Sequence, residues 1–288
     1  MTWIERNPDL IQKIRLYISD FQKIKPTLFD YFQGGRKEAF PFEAQSDKGC
    51  AILLFYCSLN QNITEEKLIQ FLQFLWMEYH TDIFKLNRLP FQNLQEKIAS
   101  EKRFQKWEIL DKTPGILRSV CDFFYAKGPI LPWIQSQNDA DLSAKILSEE
   151  IFLMGKTSSQ KFKPRYFLWL ITQLPNAKPE LFWNSTTQIM ITPAQIRFLR
   201  EFGPLKNKPK MPWVNSLEKS DYCNRFYNFL FPARSWMVYA ALNAYLNPLS
   251  INRSPLLLSI EKKFQCRELL GGCLNCSMVP FCPGFEEK

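Results

Sequence analysis

The chain has 288 residues, of which 46% are hydrophobic and 23% charged, and a formal net charge of +9. The length allows a sizeable core and two lobes, while a count of only 10 glycines argues against a glycine-rich nucleotide-binding fold. The longest apolar run, 50–59, is too short to span a membrane, and the first residues do not resemble a signal peptide. We therefore expect no membrane partner and a cytoplasmic location.

Apolar residues recur at helical spacing through most of the chain, without β-alternation or an internal repeat. Pro26 interrupts the first helical segment, and Thr64 is a candidate N-cap. The stretches 175–192 and 203–214 are predicted to be irregular. Helices are predicted over 8–32, 46–59, 64–79, 92–104, 115–125, 142–152, 163–174, 193–202, 233–246 and 256–264. This pattern predicts an all-α fold.

Basic residues are concentrated between Lys156 and Lys210, where ten lysines and arginines are opposed by only Glu180 and Glu201. An excess of this size is typical of a surface that binds a polyanion such as nucleic acid. The alternative is a solvated surface that only keeps the protein soluble.

Eight cysteines fall into two groups. Those scattered among apolar residues are predicted to be buried free thiols; they are Cys50, Cys57, Cys121 and Cys223. The others lie within the last two dozen residues at the spacing C-x6-C-x2-C-x5-C; they are Cys266, Cys273, Cys276 and Cys282. Four thiolates this close together predict a metal centre. Zinc modules usually pair two CxxC motifs and this segment has one, so the spacing favours a [4Fe–4S] cluster over zinc.

The four cysteines and all three gaps resemble the iron–sulfur loop of the endonuclease III and adenine glycosylase branch of the helix-hairpin-helix DNA glycosylases. Iron–sulfur nucleases of the RecB superfamily and SPASM domains of radical enzymes share only CxxC-x5-C. The nucleases also need a His and an Asp/Glu-x-Lys core, and the radical enzymes a C-x3-C-x2-C module; neither set is recognisable here. The six-residue gap therefore favours the glycosylase resemblance.

The resemblance implies an all-α, two-lobe fold with a [4Fe–4S] cluster held by loop 266–282. The six-helix lobe would cover 40–172, and the cluster lobe 1–39 plus 173–288, so that the chain ends meet. We expect a monomer bound to double-stranded DNA, associated with the nucleoid if the protein is prokaryotic. The expected contacts to DNA phosphates are Lys156, Lys163, Arg165, Lys262, Lys263 and Arg267.

The hairpin of this family usually reads L-P-G-[IV]-G-x-[KR]-T-A, and two stretches of the chain resemble it. One begins at Leu153 and retains that leucine and Gly155, but not the second glycine. The other begins at Lys161 and resembles relatives of the archaeal 8-oxoguanine glycosylases. It places Lys161 near the lysine nucleophile that forms a Schiff base with the sugar C1′. A phosphate contact is the alternative role for Lys161.

The catalytic aspartate of those relatives has no counterpart in this chain. Pro193 or Ala194 stands where the carboxylate is expected, and no Asp occurs between residues 141 and 221. That carboxylate stabilises the transition state or activates water. The remaining candidates for its role are Glu149, Glu150 and Asp221.

The resemblance implies a base-excision DNA glycosylase, with or without lyase activity, that extrudes a damaged or modified base and cleaves its N-glycosidic bond. Because the aspartate is missing, a second hypothesis is a glycosylase-derived protein that binds nucleic acid without catalysis. A third is a RecB-superfamily iron–sulfur nuclease, and a fourth is a zinc-stabilised interaction protein.

Overall fold

The computed structural model of the protein describes residues 7–21, 26–156, 161–191, 195, 198–199 and 216–239. All regular structure in these ranges is helical, without a strand, which confirms the predicted all-α class for them. Within the same ranges, no helix is long and apolar enough to cross a membrane.

The chain forms two compact units. The central unit is Pro26–Trp183, and the terminal unit combines Met1–Lys25 with Asn184–Lys288. The sequence predicts the division at 40 and 172, so the central unit of the structure extends further in both directions.

The α-helices with described bounds are α1 (Pro8–Phe21), α2 (Asp47–Leu59), α3 (Glu65–Tyr79), α4 (Phe91–Ser100), α5 (Thr113–Lys127), α6 (Ile130–Gln137), α7 (Ala140–Glu150), α8 (Phe162–Thr172) and α9 (Ser216–Leu230). Gln195, Phe198 and Leu199 are also helical. Short 3-10 helices lie at Thr27–Tyr31, His80–Arg88, Lys102–Phe104, Leu110–Lys112, Pro179–Leu181 and Ser235–Met237.

Helix α2 lies at the centre of the central unit. Every residue from Gly49 to Leu59 is buried, because the helix is apolar on all sides. It packs against α3, α5, α6 and α8. Ser46 caps its N-terminus by accepting a hydrogen bond from the Gly49 N–H at 3.1 Å. A Cβ at position 49 would lie 2.3 Å from the Glu43 carbonyl oxygen, so this close approach requires glycine.

The terminal unit joins the first helix to a late part of the chain. Arg15 on α1 donates from Nε to the carbonyl of Leu230 (3.1 Å) and from Nη2 to that of Phe229 (3.3 Å). These carbonyls end α9 and lack helical donors, so Arg15 caps that terminus. Tyr17 stacks on Phe198 with ring centres 5.9 Å apart. Residues 215 positions apart therefore share one unit.

Most predicted helices of the described ranges agree with the structure to within a few residues. Thr64 caps α3 as predicted, accepting from the Lys67 N–H at 3.3 Å. The predicted helix 142–152 ends at Glu150, and Phe152 lies in the following connection. Helices α6 and α9 were not predicted. The predictions for 193–202, 203–214 and 256–264 fall wholly or mainly outside the described residues. In the described half of the predicted helix 233–246, a 3-10 helix covers Ser235–Met237.

Candidate functional site: the α7–α8 connection and a buried lysine

Helices α7 and α8 pack against each other and are joined by residues 151–161, which we call the α7–α8 connection; its residues 157–160 lie outside the described part. Left-handed φ angles occur at Leu153 (57°), Gly155 (97°) and Lys161 (49°). Such angles turn the backbone sharply and are unfavourable for residues that carry a side chain. A short connection with sharp turns between two packed helices thus lies where the sequence predicts the hairpin.

Lys163, the second residue of α8, is only 7% exposed. Its Nζ donates to the carbonyl oxygens of Ser58 (2.7 Å) and Leu153 (3.1 Å), and to Oε1 of Gln61 (3.5 Å). Three acceptors match the three donors of an ammonium group. The amine therefore links the end of α2, the α7–α8 connection and the start of α8 at one point.

Burial lowers the pKa of Lys163 to about 8. The nearby Cys57 thiol does not balance the charge, because burial raises its own pKa well above the ordinary value. Among the described residues, Lys163 has no carboxylate partner. About a tenth of this amine is therefore neutral at pH 7. Neutral amine is the form that can act as a nucleophile.

Arg165, two residues further along α8, is also buried. Its Nη2 lies 3.3 Å from Oδ1 of Asp141 on α7, forming an ion pair between the two helices. Burial lowers the pKa of the guanidinium, and Asp141 opposes that effect. A phosphate contact needs a cation that the DNA backbone can reach. We therefore withdraw both Lys163 and Arg165 from the predicted DNA contacts.

Lys156 and Lys161 are the accessible lysines of the α7–α8 connection. Lys156 is exposed, and Lys161 is half-buried, with its Nζ donating to the Lys156 carbonyl oxygen at 2.9 Å. They are the sequence-predicted basic residues that the described structure leaves within reach of a phosphate. The other predicted contacts lie outside the described residues; they are Lys262, Lys263 and Arg267.

The buried Tyr56 and the half-buried Glu65 form a polar pair in the central unit that the sequence pattern does not indicate. Tyr56 is 2% exposed, and its hydroxyl donates to Oε1 of Glu65 at 3.2 Å. Its ring lies 6.3 Å from that of Tyr166, which stacks on Trp169 at 5.5 Å. Burial raises the pKa of Glu65 to about 7, while the Tyr56 hydrogen bond opposes the rise. A tyrosine inside an apolar run was the available signal, because a buried hydroxyl needs a partner.

The carboxylates that the sequence offers in place of the missing aspartate are not gathered in the described structure. Glu149 is exposed at the end of α7, and the exposed Glu150 forms an ion pair with Lys127 at 2.8 Å. The side chain of Asp221 and the segment containing Pro193 lie outside the described residues.

The four cysteines of loop 266–282 also lie outside the described residues. The four scattered cysteines are buried and free, as predicted. In the described ranges, no group of three or more His, Cys, Asp or Glu side chains could hold a metal. The donor set of loop 266–282, four thiolates, suits an iron–sulfur cluster or zinc. This loop is therefore the segment we consider for a metal centre.

Comparison of the chain with models of known protein families, with curated proteins and with solved structures returns no match. The interpretation of function therefore depends on the cysteine spacing and on the geometry around α7 and α8.

Proposed function

We propose that the protein is an iron–sulfur DNA glycosylase of the helix-hairpin-helix type, acting on double-stranded DNA in base-excision repair. The observation that carries the proposal is Lys163. A buried amine of lowered pKa lies at the start of a helix, directly after a connection that turns sharply. The resemblance of loop 266–282 to the glycosylase loop supports the same function independently.

DNA binding is assigned to two segments. In the α7–α8 connection, Lys156, Lys161 and the backbone N–H groups of the sharp turns would bind phosphates of one DNA strand. Loop 266–282 would hold a [4Fe–4S] cluster through its four cysteines, and the cluster would make that lobe rigid. Arg267 within this loop, and Lys262 and Lys263 just before it, would then contact further phosphates. The N-terminal and C-terminal parts of the chain share one unit, which agrees with a cluster lobe built from both. We expect one protein molecule per site.

Lys163 is the amine that we assign to the chemistry, in place of Lys161. Because it is buried, the attack requires that its Nζ leave the carbonyls of Ser58 and Leu153 and reach the bound nucleotide. The neutral amine attacks C1′ of an extruded nucleotide, and the C1′–N bond to the base breaks as the base takes up a proton from the amine. The sugar ring then opens at the C1′–O4′ bond, the second amine proton passes to O4′, and a Schiff base to C1′ remains. This route uses an amine and not an activated water as nucleophile, so it asks less of the missing aspartate. Lys161 is half-buried and bonded to a carbonyl of its own connection, and remains the competing candidate.

A catalytically inactive DNA-binding protein is the second candidate function. It is favoured by Pro193 and Ala194, which occupy the stretch where the family has its carboxylate. In that case Lys163 would only brace α2, the α7–α8 connection and α8. The DNA contacts would be the same in both cases.

Anaerobic purification followed by a base-release assay tests the proposal. We expect a coloured protein with absorbance near ~400 nm, as iron–sulfur clusters show. Duplexes that carry uracil, 8-oxoguanine, thymine glycol or an A·8-oxoguanine mispair should include at least one from which a base is released. Tight binding to all of them without base release would support the inactive binder. A colourless protein with stoichiometric zinc would exclude the cluster.

A further inference from the structure

Helix α5 carries a concentration of contacts between cations and aromatic rings. The guanidinium of Arg88 lies 5.5 Å from the ring centre of Tyr125, and that of Arg118 lies 5.7 Å from Phe91. The Lys127 ammonium lies 5.7 Å from the ring of Phe123. Each of the three contacts includes at least one residue of α5, Thr113–Lys127.

Two of these pairs are open to solvent. Tyr125 is 73% exposed and Phe91 is 41% exposed, although both are large apolar or aromatic side chains. Asp122, also on α5, accepts a hydrogen bond from the Asn87 side-chain amide at 2.8 Å. Arg118 donates from Nη2 to the Asn87 carbonyl at 3.2 Å. The Arg118 guanidinium is therefore held in place, while the rings of Tyr125 and Phe91 remain accessible.

This surface continues to the α7–α8 connection. Phe152, the second residue of the connection, is 49% exposed, and its backbone N–H donates to Oγ of Ser119 on α5 at 3.1 Å. Its ring lies 3.4 Å from the position that a Cβ on Gly115 would occupy. The exposed face of α5 and the connection are thus neighbours within the central unit.

An arginine stacked on a ring keeps its planar N–H edge available for phosphate, because the stacking contact uses the face of the guanidinium and not its donors. Exposed aromatic rings stack on bases, but only unpaired bases present their faces. From Gly115 to Tyr125 the helix rises about 15 Å. Nucleotides of a stacked strand are about 3.4 Å apart, and those of an extended strand are further apart. A length of about 15 Å therefore suits about two to four nucleotides.

We propose that Phe91, Arg118, Arg88 and Tyr125 form a binding surface for single-stranded nucleic acid beside the α7–α8 connection. The two arginines bind phosphates, and the two rings stack on bases. The surface goes beyond the proposed base excision and does not depend on it: it would serve a single-stranded segment next to the bound duplex, in an active or an inactive protein.

Fluorescence anisotropy with the full-length protein tests this surface. The probes are labelled oligo(dT) and oligo(rU) of about 12 nucleotides, a length within the range that single-stranded sites cover, and a duplex of the same length. The double variant Arg88→Ala/Arg118→Ala should bind oligo(dT) at least about tenfold more weakly. Its salt slope should fall by about 1.4, since each phosphate contact with a single strand contributes about 0.7. Tyr125→Ala should lose about tenfold through one stacked base.

The matched control is Arg36→Ala, which removes an exposed arginine elsewhere on the central unit. It should change oligo(dT) affinity by less than about twofold, the range of an ordinary surface substitution. The double lysine variant Arg88→Lys/Arg118→Lys retains the charge and should keep the salt slope while losing part of the affinity. Comparison of oligo(dT) with oligo(rU) shows whether the strand is DNA or RNA.

Three outcomes would overturn the surface. The first is unchanged binding of single strands by the double variant. The second is that the double variant loses as much affinity for the duplex as for oligo(dT), or that Arg36→Ala loses as much affinity for oligo(dT) as the double variant does. The third is a concentration-dependent dimer that Tyr125→Ala dissociates without a change in oligonucleotide affinity, since the occupant would then be a second copy of the chain. Base release by the same variants is measured separately, so failure of this surface is distinguishable from failure of the glycosylase proposal.

Discussion

Four basic residues around the start of α8 divide into an inner pair and an outer pair. Lys163 and Arg165 are buried and bond to carbonyls, an amide and a carboxylate of the protein. Lys156 and Lys161 are exposed or half-buried. All four contribute equally to the basic run in the sequence. Charge density therefore indicates a polyanion surface only after the buried cations are removed from the count. The buried cations are then the better candidates for chemistry, because burial lowers the pKa values of Lys163 and Arg165.

The largest expected difference between the pairs is a pH dependence of stability. The pKa of Lys163 is about 8 in the folded protein and about 10.4 in an unfolded chain. Between these values the unfolded state binds more protons, so this residue makes the free energy of unfolding rise with pH. In Lys163→Gln, which keeps amide donors for the carbonyls, this contribution is absent. Relative to that variant, the wild type should gain about 2 kcal/mol between pH 7.5 and pH 10, measured by urea unfolding.

Lys161→Gln is the matched control, because this amine is half-exposed. Its urea curves should stay parallel to those of the wild type across the same pH range. If the curves for Lys163→Gln are also parallel to those of the wild type, the pKa of the buried amine is not lowered. The distinction between the inner and the outer pair would then be wrong.

A second inner group, Glu65, should show the opposite sign. Its pKa is about 7 when folded and about 4.3 when unfolded, so the folded state binds more protons between these values. The free energy of unfolding therefore falls as pH rises through this range. Glu65→Gln retains an acceptor for Tyr56 but cannot ionise. Compared with the wild type it should gain about 1 kcal/mol between pH 4.5 and pH 8, a value reduced for partial exposure.

Glu149→Gln provides the comparison on the exposed side, since Glu149 is open to solvent at the end of α7. We expect no relative change from it in the same unfolding series. If the two glutamine variants behave alike, Glu65 is not distinguished by its burial beside Tyr56.

The smallest effects should come from the outer pair and should appear in DNA binding, not in stability. Lys156→Ala and Lys161→Ala should each weaken duplex binding a few-fold and reduce the salt slope by about 0.9, the contribution of one phosphate contact. Their urea midpoints should shift little, as is usual for surface substitutions. Affinity titrations at several salt concentrations measure this. A salt slope equal to that of the wild type would exclude the lysine as a phosphate contact.

The sequence predicts what depends on local chemistry. Thr64 caps α3, and the apolar run of α2 is buried, because capping and periodicity are properties of a few adjacent residues. The sequence pattern does not predict helix α9. Asn224 is buried in this helix and accepts a hydrogen bond from the Ile189 N–H at 2.9 Å. A polar residue on the buried side interrupts the apolar periodicity by which a helix is recognised. Such a partner, 35 positions away, is invisible to local reasoning.

The candidate site could be predicted only in outline for the same reason. The lysines near the start of α8 were recognisable as a group, but nothing local distinguishes Lys163 from Lys161. The carbonyl of Ser58 that holds Lys163 lies 105 positions earlier in the chain. The tertiary packing of α2 against α8 therefore decides which lysine is buried. For Glu65, the sequence indicates only an acidic residue at the start of a helix. Its hydrogen bond with Tyr56 depends on tertiary packing, because Tyr56 belongs to the preceding helix.

Borohydride trapping most directly tests the claim that Lys163 is the nucleophile. The substrate is a duplex that carries an abasic site or a damaged base that the protein releases. Wild type, Lys163→Gln and Lys161→Gln are treated identically, and mass spectrometry locates the reduced adduct. We expect an adduct at position 163 in the wild type and in Lys161→Gln, and none in Lys163→Gln. An adduct that persists in Lys163→Gln, or that disappears only in Lys161→Gln, would contradict the assignment of Lys163 as the nucleophile.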